Sequence, residues 1–205
     1  MNRAVMSIVL EVVFFVLAFG WRSWIQWRRT GSTGFIRPRR GAGAAELVGS
    51  IGFVSALVLL VAAPIADLAG VDRFGILDTR WAAVAGPILG VTGIVLTLLS
   101  QLSMGDSWRI GVDPATRTGL VTDGAFGLVR NPIFTAMVIA TVGLVLLVPN
   151  VVGVAAFVVL ALALEVQVRL VEEPYLLATH GTTYANYRNV VGRFVPRIGL
   201  EPAQP

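Results

Sequence analysis

Cysteine is absent from all 205 residues, which excludes disulfides, iron–sulfur clusters, thiolate zinc sites and a cysteine nucleophile. Lysine is absent too: all 16 basic side chains are arginine, so neither a Schiff base nor a lysine general base is available. There is one histidine, His180, in a polar stretch, and without a second it cannot build a histidine-based metal site, so no metal is expected. Charge is scarce as well, at 14% of residues against 56% hydrophobic. One small water-soluble core cannot hide that much apolar surface, and the charges fall between long apolar runs instead of along helix faces. Lipid is the solvent that fits, and the net charge of +4 then reflects topology, not nucleic acid.

The apolar runs predict an all-α polytopic membrane protein with about five transmembrane helices, near Ala4 to Ile25, Leu47 to Ala66, Trp81 to Leu102, Ile133 to Pro149 and Val151 to Val171. Pro149-Asn150 between the last two is too short to be more than a turn, so these two form a tight helical hairpin. The first run is too long for a secretory signal, contains Glu11, and exits into Trp21, Trp24 and Trp27 with Arg22, Arg28 and Arg29, an interfacial belt. Glycines at 49 and 52 of the second run, and at 86, 90 and 93 of the third, predict close helix packing.

Arginine is distributed unevenly. Segments after helices one, three and five carry 13 of the 16, leaving Arg3, Arg73 and Arg80 opposite. The positive-inside rule puts those three segments in the cytoplasm and the N-terminus outside, with Arg37-Pro38-Arg39-Arg40 dominating the count as a topology determinant. The expectation is an integral protein of a prokaryotic plasma membrane.

The loop from Ser103 to Asn131 and the tail from Arg169 onward fall on that same side and can form one site. The loop is dense in glycine and turn formers, from Met104-Gly105-Asp106-Ser107-Trp108-Arg109 through Asp113-Pro114 to Gly119-Leu120-Val121-Thr122-Asp123-Gly124. On the fifth helix Glu165, Arg169 and Glu172 are spaced i, i+4, i+7 and share a face, with Glu173 beside it. Ionisable residues ending an apolar span suggest a site; a salt-bridge ladder without a ligand is the alternative. Tyr184, Tyr187 and Arg188 suggest an amphipathic surface helix, with packing the simpler role for the tyrosines.

Several motifs from Gln101 to Ile198 together resemble the isoprenylcysteine carboxyl methyltransferase-like membrane methyltransferases, which are related in architecture to phospholipid N-methyltransferases. They are the 119–126 stretch ending Gly124-Ala125-Phe126, then Arg130-Asn131-Pro132-Ile133-Phe134, Glu172-Glu173, and Gly181 to Arg188 followed by Arg193-Phe194-Val195-Pro196. The resemblance implies one membrane domain. Residues 1–102 would supply three N-terminal helices, the first two serving as anchor and packing partners, 103–132 a cofactor loop, 133–171 the hairpin, and 172–205 a tail completing the cofactor site. It further implies S-adenosylmethionine held by Thr118, Gly119, Leu120, Val121, Phe126, Asn131, Pro132, Ile133, Phe134 and Glu172, with Glu172 facing the cofactor's positive charge.

The chain departs from that family's pattern twice. Asn131 stands where the family usually has histidine, which removes a titratable group. Val168 stands where carboxyl methyltransferases place an arginine for the substrate carboxylate, with Arg169 next to it. The implied acceptor is a lipophilic molecule or lipid entering from the bilayer. A carboxylate acceptor, slightly favoured, needs an arginine clamp from Arg109, Arg130 or Arg169; an amine must lose a proton, to Glu165 or Glu173. Two other readings stay open, an NADPH-dependent sterol-type reductase and a non-enzymatic scaffold or transporter.

Overall fold

The computed structural model describes residues 2–36, 43–111 and 119–201. Each apolar run folds as a helix: α1 (Arg3–Thr30), α2 (Ala44–Leu68), α3 (Arg80–Ser103), α4 (Pro132–Leu147) and α5 (Val151–His180), followed by a short α6 (Thr182–Val190). Local chemistry sets the boundaries. The Asn2 side chain accepts from the Ala4 amide at 2.9 Å, Thr79 from Ala82 at 3.3 Å and Asn150 from Gly153 at 2.9 Å, each meeting one of the amides a helix start leaves unpaired. Pro132, which has no amide to lose, opens α4. Gly31, at φ 75°, ends α1 in the left-handed conformation that its missing Cβ permits.

Four of these helices are long and apolar enough to cross a bilayer. The fifth run gives the 16-residue α4, about 24 Å long and short for a hydrocarbon core of roughly 30 Å. Burial compensates: no residue of α4 is exposed, because it is apolar on every side and forms the centre of the bundle. The Val148-Pro149-Asn150 turn joins α4 to α5 as expected, and fully buried Asn150 ties it to the Ala63 carbonyl of α2 at 2.8 Å. The broadest packing faces are nevertheless α3 with α4 and α2 with α5.

The glycines explain that pairing. A Cβ on Gly93 would lie 2.3 Å from the Ala140 amide nitrogen, and one on Gly143 2.3 Å from that of Gly90. Helices α3 and α4 thus meet backbone to backbone, a closeness that dispersion and weak polar contacts reward in lipid. Backbone cannot swing aside as a side chain can. Gly143→Val is therefore expected to cost at least the roughly 1–3 kcal/mol typical of overpacking, seen as a lowered thermal unfolding midpoint in detergent; a midpoint equal to the parent's would contradict this packing.

The two polar ends are distinct. At one end Arg73 grips Asp67 through two hydrogen bonds of 2.6 and 2.7 Å, and Arg3 pairs with Asp78. At the other, the segment after α1 joins the loop after α3 through a parallel bridge between Phe35 and Ile110, and the loop before α4 joins the tail through one between Val129 and Gly192. The expected gathering of the segments after helices one, three and five at one end is what the fold shows.

The interfacial belt is only partly as expected. Trp21, Trp24 and Trp27 are exposed, and Arg28 stacks over Trp24 at 5.3 Å. Arg22 is instead buried, lying 4.5 Å over the Trp108 ring and donating to the Gly105 carbonyl at 2.6 Å, so it pins the loop after α3. The Arg37-Pro38-Arg39-Arg40 stretch and Asp113-Pro114 lie outside the described residues.

Candidate active site

Helix α5 contains 30 residues and rises about 45 Å, so its final turns stand clear of a 30 Å apolar layer. Within it Val168–Glu172 forms a π turn, in which the Glu173 amide reaches back five residues to the Val168 carbonyl. The extra residue rotates everything beyond it by roughly 100° relative to an unbroken α-helix. This corrects the expected shared face. Glu165 and Arg169 pair with each other on the exposed side, whereas Glu172 is turned into the bundle, where Gln167 five residues back donates to its Oε1 at 3.3 Å.

Glu172 lines a cavity of about 280 Å³ at the junction of the helices and the polar end, close to the lower limit of about 300 Å³ for small-molecule sites. The loop contributes Gly119, Leu120, Val121 and Phe126, and the start of α4 contributes Asn131, Ile133 and Phe134. These are eight of the ten residues that the resemblance assigns to the cofactor. Pro132 is buried at the α4 N-terminus but does not line the cavity, and Thr118 lies outside the described residues.

Arg109 lines the cavity; Glu165 and Arg169 do not. Arg130 and Glu173 reach its wall yet are committed elsewhere. Arg130 donates to Glu173 Oε1 at 2.7 Å and to the carbonyls of Val191, Arg188 and Gly199 at 2.5, 3.1 and 3.1 Å. Arg193 holds both oxygens of the same carboxylate, each at 2.8 Å, and also pairs with Glu201. Hydrogen bonding to Glu173 keeps the Arg193 guanidinium protonated beyond its ordinary range. Arg130, expected as a substrate clamp, and Glu173, expected as a proton acceptor, thus join Arg193 in a buried clamp that docks the tail.

The tail's other contacts are equally specific. Amides of Arg130 and Asn131 donate to the Gly192 and Arg193 carbonyls at 2.8 and 3.1 Å, and the Thr135 hydroxyl donates to the Phe194 carbonyl at 2.8 Å. Tyr184 and Tyr187 of α6 are buried against Leu120 and Leu176, the packing role expected of them. Burial raises the Tyr187 phenol to about 12, which keeps it a donor to the Phe126 carbonyl at 2.6 Å.

Sequence reasoning missed the opposite wall. Phe14 and Ala18 of α1 and Phe53 of α2 line the cavity, so these helices shape the site besides anchoring it. Thr97, Gln101, Gln167, Tyr175 and His180 line it too. Polar residues on apolar spans were the available signal: Thr97 and Gln101 sit one turn apart on α3.

The cavity suits S-adenosylmethionine in kind: the Glu172 carboxylate for a sulfonium, apolar walls for an adenine, and loop backbone at Gly119, where a Cβ would meet nothing within 4 Å among the described residues. A family model described as phospholipid methyltransferase matches residues 81–183, half of the chain, from the start of α3 to the start of α6. No curated protein matches.

Proposed function

Because the chain belongs to the phospholipid methyltransferase family, and is thus a membrane methyltransferase, we propose that it transfers methyl from S-adenosylmethionine to the head-group amine of a lipid. When bound, S-adenosylmethionine supplies an electrophilic methyl group on a sulfonium. Glu172 faces the positive charge, while Leu120, Ile133 and Phe134 exclude water. The chain's own part would be to hold the amine nitrogen in line with that methyl group, a neutral thioether and the proton shed by nitrogen being the balance of the transfer. Positioning and desolvation of this kind supply much of the rate in a one-step displacement.

The observation that carries the reading is Glu172 turned by the π turn into a cavity shared by the loop, α4 and the apolar wall of α1 and α2. That shape lets a soluble cofactor and a lipid meet. An amine is favoured over a carboxylate because Arg130 is engaged with the tail and Arg169 with Glu165. A carboxylate acceptor is the second reading, supported by Arg109 in the cavity wall. The arginine excess at this end supports a cytoplasmic site with the N-terminus outside.

Calorimetry on protein in lipid nanodiscs is expected to give saturable binding of S-adenosylmethionine and none of NADPH. With methyl-labelled cofactor, label is expected in phosphatidylethanolamine and not in a fatty acid. Affinity for NADPH alone would overturn the methyltransferase chemistry; label in the fatty acid alone would favour the carboxylate.

A further inference from the structure

Gln101 is 3% exposed and lines the cavity from α3. Its Nε2 donates to the Ala18 carbonyl at 3.0 Å, in the π turn Val16–Trp21 of α1. A carbonyl only accepts, so this bond fixes which end of the amide is which. The other end, Oε1, is buried and has no hydrogen-bond partner among the described residues. A buried carbonyl oxygen without a partner is costly and uncommon, and in a cavity wall it marks a place for a donor.

One turn earlier Thr97, fully buried, gives its hydroxyl hydrogen to the Gly93 carbonyl at 2.8 Å, leaving only lone pairs to offer the cavity. These two side chains therefore leave acceptors and no donor to offer, which suits an N–H.

Resting on the reading that this cavity holds the methyl acceptor, we propose that Gln101 is a positioning residue: its Oε1 accepts a hydrogen bond from an N–H of the amine, orienting the nitrogen lone pair toward the methyl group. The π turn of α1 sets the oxygen's direction by holding Nε2. The number of N–H groups on the acceptor then decides whether Gln101 matters. A primary amine and its monomethyl derivative keep an N–H in the neutral, nucleophilic form; a dimethylamine has none.

The test uses nanodiscs containing phosphatidylethanolamine, its N-monomethyl or its N,N-dimethyl derivative, with labelled S-adenosylmethionine. Gln101→Leu is expected to lower kcat/KM by about tenfold or more for the first two, the effect of losing one buried hydrogen bond, and by less than about twofold for the third. The ratio between acceptors within one preparation is independent of the folded fraction. If Gln101→Leu yields no folded protein, Gln101→Asn, which withdraws the oxygen by one methylene, is expected to shift the same ratio in the same direction. An equal fall for all three acceptors would make the role structural, and a fall in S-adenosylmethionine affinity would assign the oxygen to the cofactor; either overturns the proposal while leaving the methyltransferase reading intact. Parent protein that labelled none of the three would overturn both this proposal and the amine-acceptor reading on which it rests.

Discussion

Glu172→Gln is expected to weaken S-adenosylmethionine binding by about tenfold or more while leaving the fold in place. The carboxylate is turned into the cavity, and its hydrogen bond within the chain comes from Gln167, so the substitution removes a charge without uncovering a buried partner. A sulfonium has no hydrogen to donate, so the contact is Coulombic: opposite unit charges about 4 Å apart attract by about 1 kcal/mol in water and about 4 kcal/mol near a protein surface, a range that brackets the expected factor. The charge argument makes a sharper demand. S-adenosylhomocysteine carries a neutral thioether where the cofactor carries a sulfonium, so its affinity is expected to change less. Equal weakening of both would mean that Glu172 binds some other part of the molecule, and parent-like affinity for the cofactor would remove Glu172 from the site.

Glu173→Ala is expected to act on stability first. It would leave Arg130 and Arg193 buried without their shared carboxylate. Breaking a buried pair by removing one partner costs roughly 3–5 kcal/mol, a fall in unfolding midpoint on the order of 10 °C for a chain of this size. Because Arg130 also binds tail carbonyls and Arg193 also binds Glu201, residues 188–201 are expected to become sensitive to limited proteolysis before the helices unfold. Arg169→Ala is the control: its partner Glu165 is exposed, and such pairs contribute about 0–1 kcal/mol. Comparable losses in the two variants would contradict the clamp.

The number of helices, the hairpin turn and the glycine contacts were legible in the sequence because each follows from local composition: apolar run length, a Pro-Asn pair, small residues at helical spacing. Most of one cavity wall was legible too, through motifs that are contiguous in the chain. Two kinds of feature were not. The π turns at Val16–Trp21 and Val168–Glu172 have no dependable sequence signal, and they decide which way Glu172 and the Ala18 carbonyl point. Glu165, Arg169 and Glu172 therefore looked like one row and are two. Long-range commitments were also invisible. Arg22 looked like a belt residue until Trp108 was beneath it, and Arg130 looked uncommitted until the tail wrapped around it. An arginine in sequence is a free charge; only the fold shows what it already holds.

The clamp also fixes the order in which the enzyme is finished. Arg130 binds the carbonyls of Arg188, Val191 and Gly199, and Arg193 joins Glu173 to Glu201, so part of the cavity's support comes from residues translated after all five long helices. Insertion into the bilayer needs only the apolar runs and can proceed while the ribosome is still at work. Completion of the site waits for the tail to emerge and fold back. A nascent chain is thus anchored in its membrane before its cavity is complete, and translation itself separates delivery from assembly of the site.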